Sequence, residues 1–544
     1  MAHDADVVVV GSGPSGALAA ATLVDAGHRV RLIDVGHDED RYRSLVPDLP
    51  FSEIRRRDPG QRRYFLGDDL EGVPSEEVRV GAQLTPPRQF VTRDAERLLP
   101  VRGEAFEPMQ SLALGGLGAT WGAASFTYTP AELRRIGVPE TDFKRHYDAV
   151  ARRVGISGAL EDDSSKNCFA DLTDPLPPLE IDSVSRALWR RYQRRRDAFL
   201  ERGLSLGRTP LAILSRDRGD RRANPYHDMD FWAESRRSVF RPRYLIEELE
   251  KRPNFSLHTG RLALGFECRG DAGVRVRCRV LHSGETELFS ARRLVLCAGA
   301  INSARLALHS LARVNVPVPI LCNPYRYIPC VCLPMLGRAA DDRRHSLSQL
   351  VAIYRPPDAP DDVVSVQFYG YRSLLLFKLV KEIPLPAWAG LQIARILASS
   401  LIVAGLHHSD APSATKTLRI GPAGADALPE IRFDYAASDD ERVRRIERER
   451  AILGLLFRLS LVPFSRIDPG AASSIHYAGT LPVGAAGGAA CGTTPEGRLL
   501  DTRSVYVADS SSWTHLPAKG LTFTLMANAV RVAEHVSRDL RGQA

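Results

Sequence analysis

The chain has 544 residues, 44% hydrophobic and 25% charged, and its 73 basic and 65 acidic side chains give a formal net charge of +8. Such a length is too great for one compact core and predicts two domains of an ordinary globular protein. The basic excess is scattered, residues 442–451 alternate in sign like a solvated helix face, and no basic block is interleaved with aromatics, which argues against a nucleic-acid surface. The eight cysteines are dispersed, without CxxC or zinc-type Cys/His spacing, so neither a metal centre nor a disulfide framework is expected, and the thiols read as those of a cytoplasmic protein. A strand begins almost at once, so no signal peptide is expected.

Residues 5–36 read as strand, tight turn, helix, strand. Val7–Val10 form the continuous apolar run of a parallel strand covered on both faces. Gly11, Gly13 and Gly16 then give G-x-G-x-x-G at the strand-to-helix junction. The first glycine permits the turn, the second lets backbone approach a pyrophosphate, and the third allows close helix–strand packing. The helix opening at Pro14 and Ser15 offers free N–H groups to that pyrophosphate. The second strand ends in Asp34, placed to accept a ribose hydroxyl. The motif does not decide between FAD and NAD.

Further along, residues 291–308 (ARRLVLCAGAINSARLAL) repeat this design. A strand over Leu294–Cys297 ends at Ala298 and Gly299, and a helix is expected from about Asn302 and Ser303. Residues 373–406 are unusually apolar, but Lys378, Lys381, Glu382 and two prolines interrupt them, so buried core or peripheral contact with a membrane is expected rather than a transmembrane helix. Two weaker clusters are Tyr226, His227, Asp228, Asp230, Phe231 and Trp232, suited to a sugar pocket or a surface loop, and His407, His408 and Asp410 at a strand end that could face a pocket.

The stretches 109–126 (MQSLALGGLGATWGAASF), 238–268, 291–308, 427–453 and 474–537, read with the first, resemble the glucose–methanol–choline (GMC) family of FAD-dependent oxidoreductases, nearest in wording to its pyranose-oxidase branch. The resemblance implies a flavin loop around Gly115, Gly116, Thr120, Trp121 and Gly122. Thr120 stands where that branch carries a flavin-linking histidine, so FAD is expected to be non-covalent. It also implies that Ala298, Gly299, Asn302 and Asp509 face the cofactor. A terminal helix from Gly520, Leu521 and Thr522 would point its N-terminus at the isoalloxazine ring. Residues 427–453 are expected to be a strand and helix leaving the substrate-facing sheet.

By the same resemblance, His476 in IHYAGT matches the histidine that helps to remove the substrate hydroxyl proton. The family's second residue, asparagine or histidine in N-P-x-x-T, falls on Gly520, which can neither orient a hydroxyl nor hold a proton. Lys519 and His515 are the expected substitutes from the preceding loop.

These readings predict an α/β protein: a Rossmann-like FAD domain of GMC type, assembled from 1–45, 95–130, 240–310 and 465–544, and an α+β substrate domain on an antiparallel sheet, from 131–239 and 311–464. Residues 46–94 would connect the two or form a lid. The expected reaction is oxidation of CH–OH to carbonyl on a sugar, cyclitol or other polyhydroxylated compound, with oxygen or another acceptor taking the electrons. The alternatives are an atypical flavin reaction (desaturation, oxidative cyclisation or a non-redox role) and an FAD-stabilised scaffold protein.

Overall fold

The computed structural model describes residues 4–542 except 39–40, 73–83, 140–142, 171, 271–272, 340, 342, 371–385, 425 and 486–489. Most of the hydrophobic first half of the 373–406 stretch therefore lies outside the described residues. Its second half forms a helix, Ala387–Leu397, with Trp388 72% and Ile396 56% exposed, followed by a fully buried strand, Leu401–His408. Among the described residues no helix is long and apolar enough to cross a membrane.

A seven-stranded sheet carries the glycine turns. Its parallel part runs Phe255–His258, Val30–Ile33, Ala5–Val10, Thr286–Leu296 and Val505–Val507. Ala5–Val10 lies between parallel neighbours and is covered on both faces, which is why its side chains are almost all apolar. The long strand Thr286–Leu296 joins parallel neighbours at one end to an antiparallel ribbon with Val274–Val280 and Arg261–Cys268 at the other. The helix Pro14–Asp25 opens with proline at its first turn, where no N–H partner is needed, and packs with the terminal helix Thr522–Leu540. The helix after Cys297 runs over Gly299–Ser310, three residues earlier than its sequence suggested.

The second sheet is six-stranded and antiparallel, in the order Leu461–Pro463, Tyr325–Cys332, Leu401–His408, Val364–Gly370, Leu350–Tyr354 and Leu204–Arg208. Alternation along its strands separates two faces. Ile328, Leu406 and Val366 pack under the helices Ser183–Gln193 and Asp439–Arg458, while Tyr325 and His407 emerge on the other side. The strand Ile431–Tyr435, expected with its helix to leave the substrate-facing sheet, is not one of the strands of this sheet. It pairs with Lys416–Ile420 and Val101–Arg102 in a separate four-stranded sheet, and only the helix after it backs the six-stranded one.

The aromatic–acidic cluster at 226–232 is mostly packed structure, and His227 and Asp230 border only a small cavity of about 30 Å³. Asp228 is paired with buried Arg344, Asp230 accepts from Asn224 and Ser346, and Trp232 meets the edge of Phe65. The described part of 46–94 packs against this region through the Arg88–Glu234 ion pair and the bond from Thr85 to the Phe231 carbonyl.

Candidate active site

A cavity of about 290 Å³ lies beyond the carboxyl ends of the parallel strands, where Val10, Ile33 and Cys297 contribute to its wall. Open parallel sheets bind ligands at this place. The first turn is shaped by what its glycines lack. Gly11 sits at φ +101°, and a Cβ there would come within 2.5 Å of the Cys297 oxygen. A Cβ on Gly16 would lie 1.8 Å from the Gly11 oxygen, so this glycine serves helix–strand packing and is not itself on the wall. Gly13, Gly122 and Gly299 differ from these. A Cβ on Gly13 would meet nothing nearer than the Gly115 oxygen at 4.0 Å, and on the other two nothing within 4 Å. All three line the cavity, so added side chains would occupy the ligand space.

Asp34 ends its strand on the same wall, its carboxylate accepting from the Ser12 N–H (2.6 Å) and the Gly36 N–H (3.1 Å), while burial pushes its carboxyl above the usual range. The Ser12 hydroxyl accepts from the Gly115 N–H at 2.9 Å and so ties the first turn to the second glycine loop. Gly115 is covered and off the wall, whereas Gly116, Thr120, Trp121 and Gly122 are on it. Pro14, Ser15, Ala298, Asn302, Leu521 and Thr522 line it as well. Asp509, fully buried at the wall, accepts from the Ser303 hydroxyl, which in turn accepts from the Ala298 N–H. This carboxylate thus braces the second glycine turn. No side chain caps the terminal helix, so its first-turn N–H groups stay available beside Thr522.

Several buried polar atoms on the wall have no partner among the described residues. Arg305 is fully buried and donates only from Nη2, to the Pro100 carbonyl at 3.1 Å, leaving Nε and Nη1 unpaired. Burial without a carboxylate pulls its guanidinium down to about 9. The Gln110 and Asn302 side-chain oxygens are unpaired too. Buried polar groups are rarely left so. With the glycine cradle, the strand-end carboxylate of Asp34 and two uncapped helix N-termini, these orphaned groups fit an elongated polar ligand of dinucleotide type.

His476 is half-buried on the same wall. A two-residue antiparallel ladder pairs Leu321 with Ala478 and Cys322 with Tyr477, and the next pair in that register is Asn323 with His476. The His476 Nδ1 lies 3.0 Å from the Asn323 Oδ1. On its other side the ring stacks on His407, at 5.3 Å between centroids and 22° between planes, and His407 packs on Tyr325. Burial lowers the His476 imidazole to about 4 and His407 well below its usual value, so both rings are neutral near pH 7.

The two residues expected to assist His476 from the preceding loop are not on the cavity wall. Lys519 is buried elsewhere, donating to Glu132 (2.5 Å), the Asn167 carbonyl (2.6 Å) and the Thr127 carbonyl (3.2 Å). A lysine held by a carboxylate and two carbonyls has no donor to spare for a substrate. His515 is buried, and burial, with Arg135 nearby, pushes it down to about 3. Gly520 is also off the wall. A Cβ there would meet the Phe126 ring at 3.2 Å and the Ala124 oxygen at 3.6 Å, so an aromatic ring fills the space a second polar side chain would need.

Sequence reasoning missed Asn323, Ser12, Arg305 and Phe126. Asn323 lies in a segment outside the recognised stretches, and its neighbour Pro324 suggests only a turn. His407, expected at a strand end that could face a pocket, stacks on His476.

No family model matches the chain. It is 26% identical over 563 aligned residues to paromamine 6′-oxidase of Streptomyces fradiae, covering 98% of this chain and 92% of that protein. It is 27% identical to 6‴-hydroxyparomomycin C oxidase of Streptomyces lividus, over 56% of this chain and half of the other. In fold it is similar to pyridoxine 4-oxidase from Mesorbium loti, with a TM-score of 0.59, 16% identity, and 98% and 99% of the two chains covered. It is also similar to a formate oxidase of Aspergillus oryzae RIB40, studied for FAD modification in an R554K variant, with a TM-score of 0.61, 12% identity and 99% of both chains covered.

Proposed function

Proceeding from a chain that belongs to the GMC family of FAD-dependent oxidoreductases, we propose that it oxidises a hydroxyl group of a sugar, cyclitol or aminosugar-bearing polyol to a carbonyl, with His476 taking the hydroxyl proton at Nε2. The observation that carries this reading is the position of His476, held at Nδ1 by Asn323 on the wall of the glycine-cradled cavity. The names of the two Streptomyces relatives, both oxidases of aminosugar compounds, favour the polyol substrate.

When bound, FAD supplies the hydride acceptor. Asp34 would hold its adenosine ribose, and the helix N-terminus at Pro14 and Ser15 its pyrophosphate. The loop from Gly116 to Gly122 and the Ala298–Gly299 turn would offer it backbone, and the first turn at Thr522 would offer a positive dipole end to negative charge formed on reduction. Thr120 provides no ring nitrogen for a covalent link, so we read the cofactor as non-covalent.

For the substrate, the alcohol loses two electrons as a hydride and one proton from oxygen. A neutral imidazole accepts that proton, and a positioned base is worth about 10²–10⁴ in rate. All four compared proteins are named oxidases, which favours oxygen as the final acceptor, reduced by two electrons and two protons to hydrogen peroxide. The Phe126 ring against Gly520 also supports a second reading, an atypical flavin reaction, because no second hydrogen-bonding side chain stands at that position.

Anaerobic mixing of the FAD-loaded protein with a panel of sugars, cyclitols and aminosugars tests the proposal. Bleaching of the flavin band near ~450 nm, with a carbonyl product, is the expected result. Bleaching with a desaturated or cyclised product selects the second reading, and no bleaching with any polyol overturns the first.

A further inference from the structure

We infer that Asn323 is a positioning residue that locks His476, on the cavity wall, in its Nδ1–H tautomer, so that Nε2 carries the lone pair, the one able to take a proton. The inference rests on the proposed role of His476 as the base, and it goes beyond that role by naming the group that makes the histidine a base at one nitrogen rather than the other.

The argument is one of donors and acceptors. The Asn323 side chain is buried, and its amide nitrogen lies 2.7 Å from the His408 carbonyl and 2.9 Å from the Pro517 carbonyl. A carbonyl oxygen can only accept, so both contacts require the NH₂ group on that side. The two orientations of an asparagine amide are normally hard to tell apart. Here the reverse orientation would set the amide oxygen against two carbonyl oxygens, so the chemistry decides. The Asn323 Oδ1 therefore faces His476 and can only accept. At 3.0 Å from that oxygen, the His476 Nδ1 must be the donor. In a neutral imidazole one nitrogen is protonated and the other is a lone-pair acceptor, so Nε2 carries the lone pair. Neither ring nitrogen is given a second choice, because the hydrogen bond at one nitrogen sets the state of the other.

The fold holds this arrangement from three directions. The Leu321–Cys322 and Tyr477–Ala478 ladder fixes the register that sets Asn323 opposite His476. The His408 carbonyl comes from the strand Leu401–His408, and the Pro517 carbonyl from the loop before the terminal helix. His407, one residue before that carbonyl, stacks on the His476 ring and limits its rotation. Three segments separated from that of His476 thus contribute to the state of one imidazole. Supporting groups of this type commonly alter activity by about 10–100-fold when removed, and a histidine in the wrong tautomer is a poor base even where its position is unchanged.

Two measurements on the FAD-loaded protein test the inference. In ¹⁵N-histidine NMR of the wild-type protein near pH 7.5, the His476 signals, identified by their loss in His476→Gln, should show a protonated Nδ1 and an unprotonated Nε2. The reverse pattern overturns the inference without any change at Asn323. In anaerobic stopped-flow, Asn323→Ala should slow flavin reduction by about 10–100-fold with substrate affinity little changed. Asn323→Asp should recover part of the rate, because a carboxylate still accepts from Nδ1–H, although it loses both carbonyl contacts and should melt earlier. A merely structural Asn323 predicts that both variants lose rate in proportion to their loss of stability, and that result, or wild-type reduction in Asn323→Ala, counts against the lock. If His476→Ala reduces the flavin at the wild-type rate, the base assignment fails instead, while the NMR tautomer result stands on its own.

Discussion

The two walls that meet at His476 are built by opposite means. On the cofactor side the structure is defined by missing atoms: Gly13, Gly122 and Gly299 leave space that backbone and helix ends surround. On the sheet side it is defined by filled space: Phe126 closes over Gly520, His407 stacks on His476, and the Asn323 side-chain amide is bonded at both its oxygen and its nitrogen. The first wall can admit a ligand but cannot direct its chemistry. The second admits little and sets the state of the histidine proposed to take the proton. The difference predicts that damage on the cofactor side shows as lost binding, and damage on the sheet side as lost rate or lost stability.

The largest effect separates the two walls at the histidine itself. His476→Ala should slow anaerobic flavin reduction by about 10²–10⁴ while flavin content and spectrum stay those of the parent. Burial lowers this imidazole to about 4, so the proton-accepting form is complete at neutral pH and is lost only as pH falls through that value. The reduction rate of the parent should therefore stay level from neutrality down to about pH 5, and an inflection near the ordinary histidine value in a stopped-flow pH series would contradict the buried, neutral ring. The same shift makes a stability claim. An unfolded His476 binds a proton below the ordinary histidine value of 6.5 and the folded one only near 4, so its contribution to stability is intact above 6.5 and is lost as pH falls between those values.

Next in size is Lys519, which the sheet side has taken away from the cavity. Lys519→Met removes the cation from a buried pair, leaves the Glu132 carboxylate with only its bonds from Thr129, and takes the Lys519 donor from the Thr127 and Asn167 carbonyls. Loss of one partner of such a pair costs about 3–5 kcal/mol, read as a lower denaturation midpoint. Per bound flavin, the reduction rate at saturating substrate should be unchanged. A large fall in that rate with normal stability would return Lys519 to the chemistry.

Gly13→Leu probes the other wall. Gly13 has φ −60°, so its backbone accepts leucine and only the ligand space is altered. The folded protein should lose its flavin, and with it the rise in melting temperature on adding FAD, which is worth about 2.7 kcal/mol at a hundredfold excess over Kd. Retained flavin binding would show that the cradle lies elsewhere.

This contrast also explains what was legible in the sequence. The cofactor wall is written locally: Gly11, Gly13, Gly16 and Asp34 fall within one strand–helix–strand unit, Gly16 answers to Gly11 and Gly13 to the ligand space, while Gly11 answers to a distant group, the Cys297 oxygen. His476 could be found for the same reason, through the residues beside it. The groups that act on His476 come from far away. Asn323 is 153 residues distant and is joined to it only through a two-residue ladder. The capture of Lys519 by Glu132 spans 387 residues. Charge and position in the loop made Lys519 a reasonable substitute base, and nothing local announced that a helix-capping glutamate would hold it. Ile431–Tyr435 joined a different sheet for a similar reason, since strand pairing is a long-range choice that local pattern does not encode.

The smallest prediction concerns Gly520 and tests whether its neighbour is closed by packing rather than left open for substrate. An added Cβ would stand 3.2 Å from one ring carbon of Phe126 and 3.5 Å from the next, tighter than ordinary contact yet within reach of a small shift. Phe126 is fully buried and packs with Cys168, Val351, Ile353 and Val363, so the ring has little freedom to move away. Gly520→Ala should therefore cost about 1–3 kcal/mol by overpacking, although its backbone φ is not in the left-handed region. Phe126→Leu shortens the ring that causes the contact. In a double-mutant cycle followed by denaturant unfolding, the pair should cost at least about 0.5 kcal/mol less than the sum of its parts, since residues in contact couple and distant ones do not. Additive costs would mean that Phe126 does not cover Gly520, and the position would again be open to a substrate-orienting group.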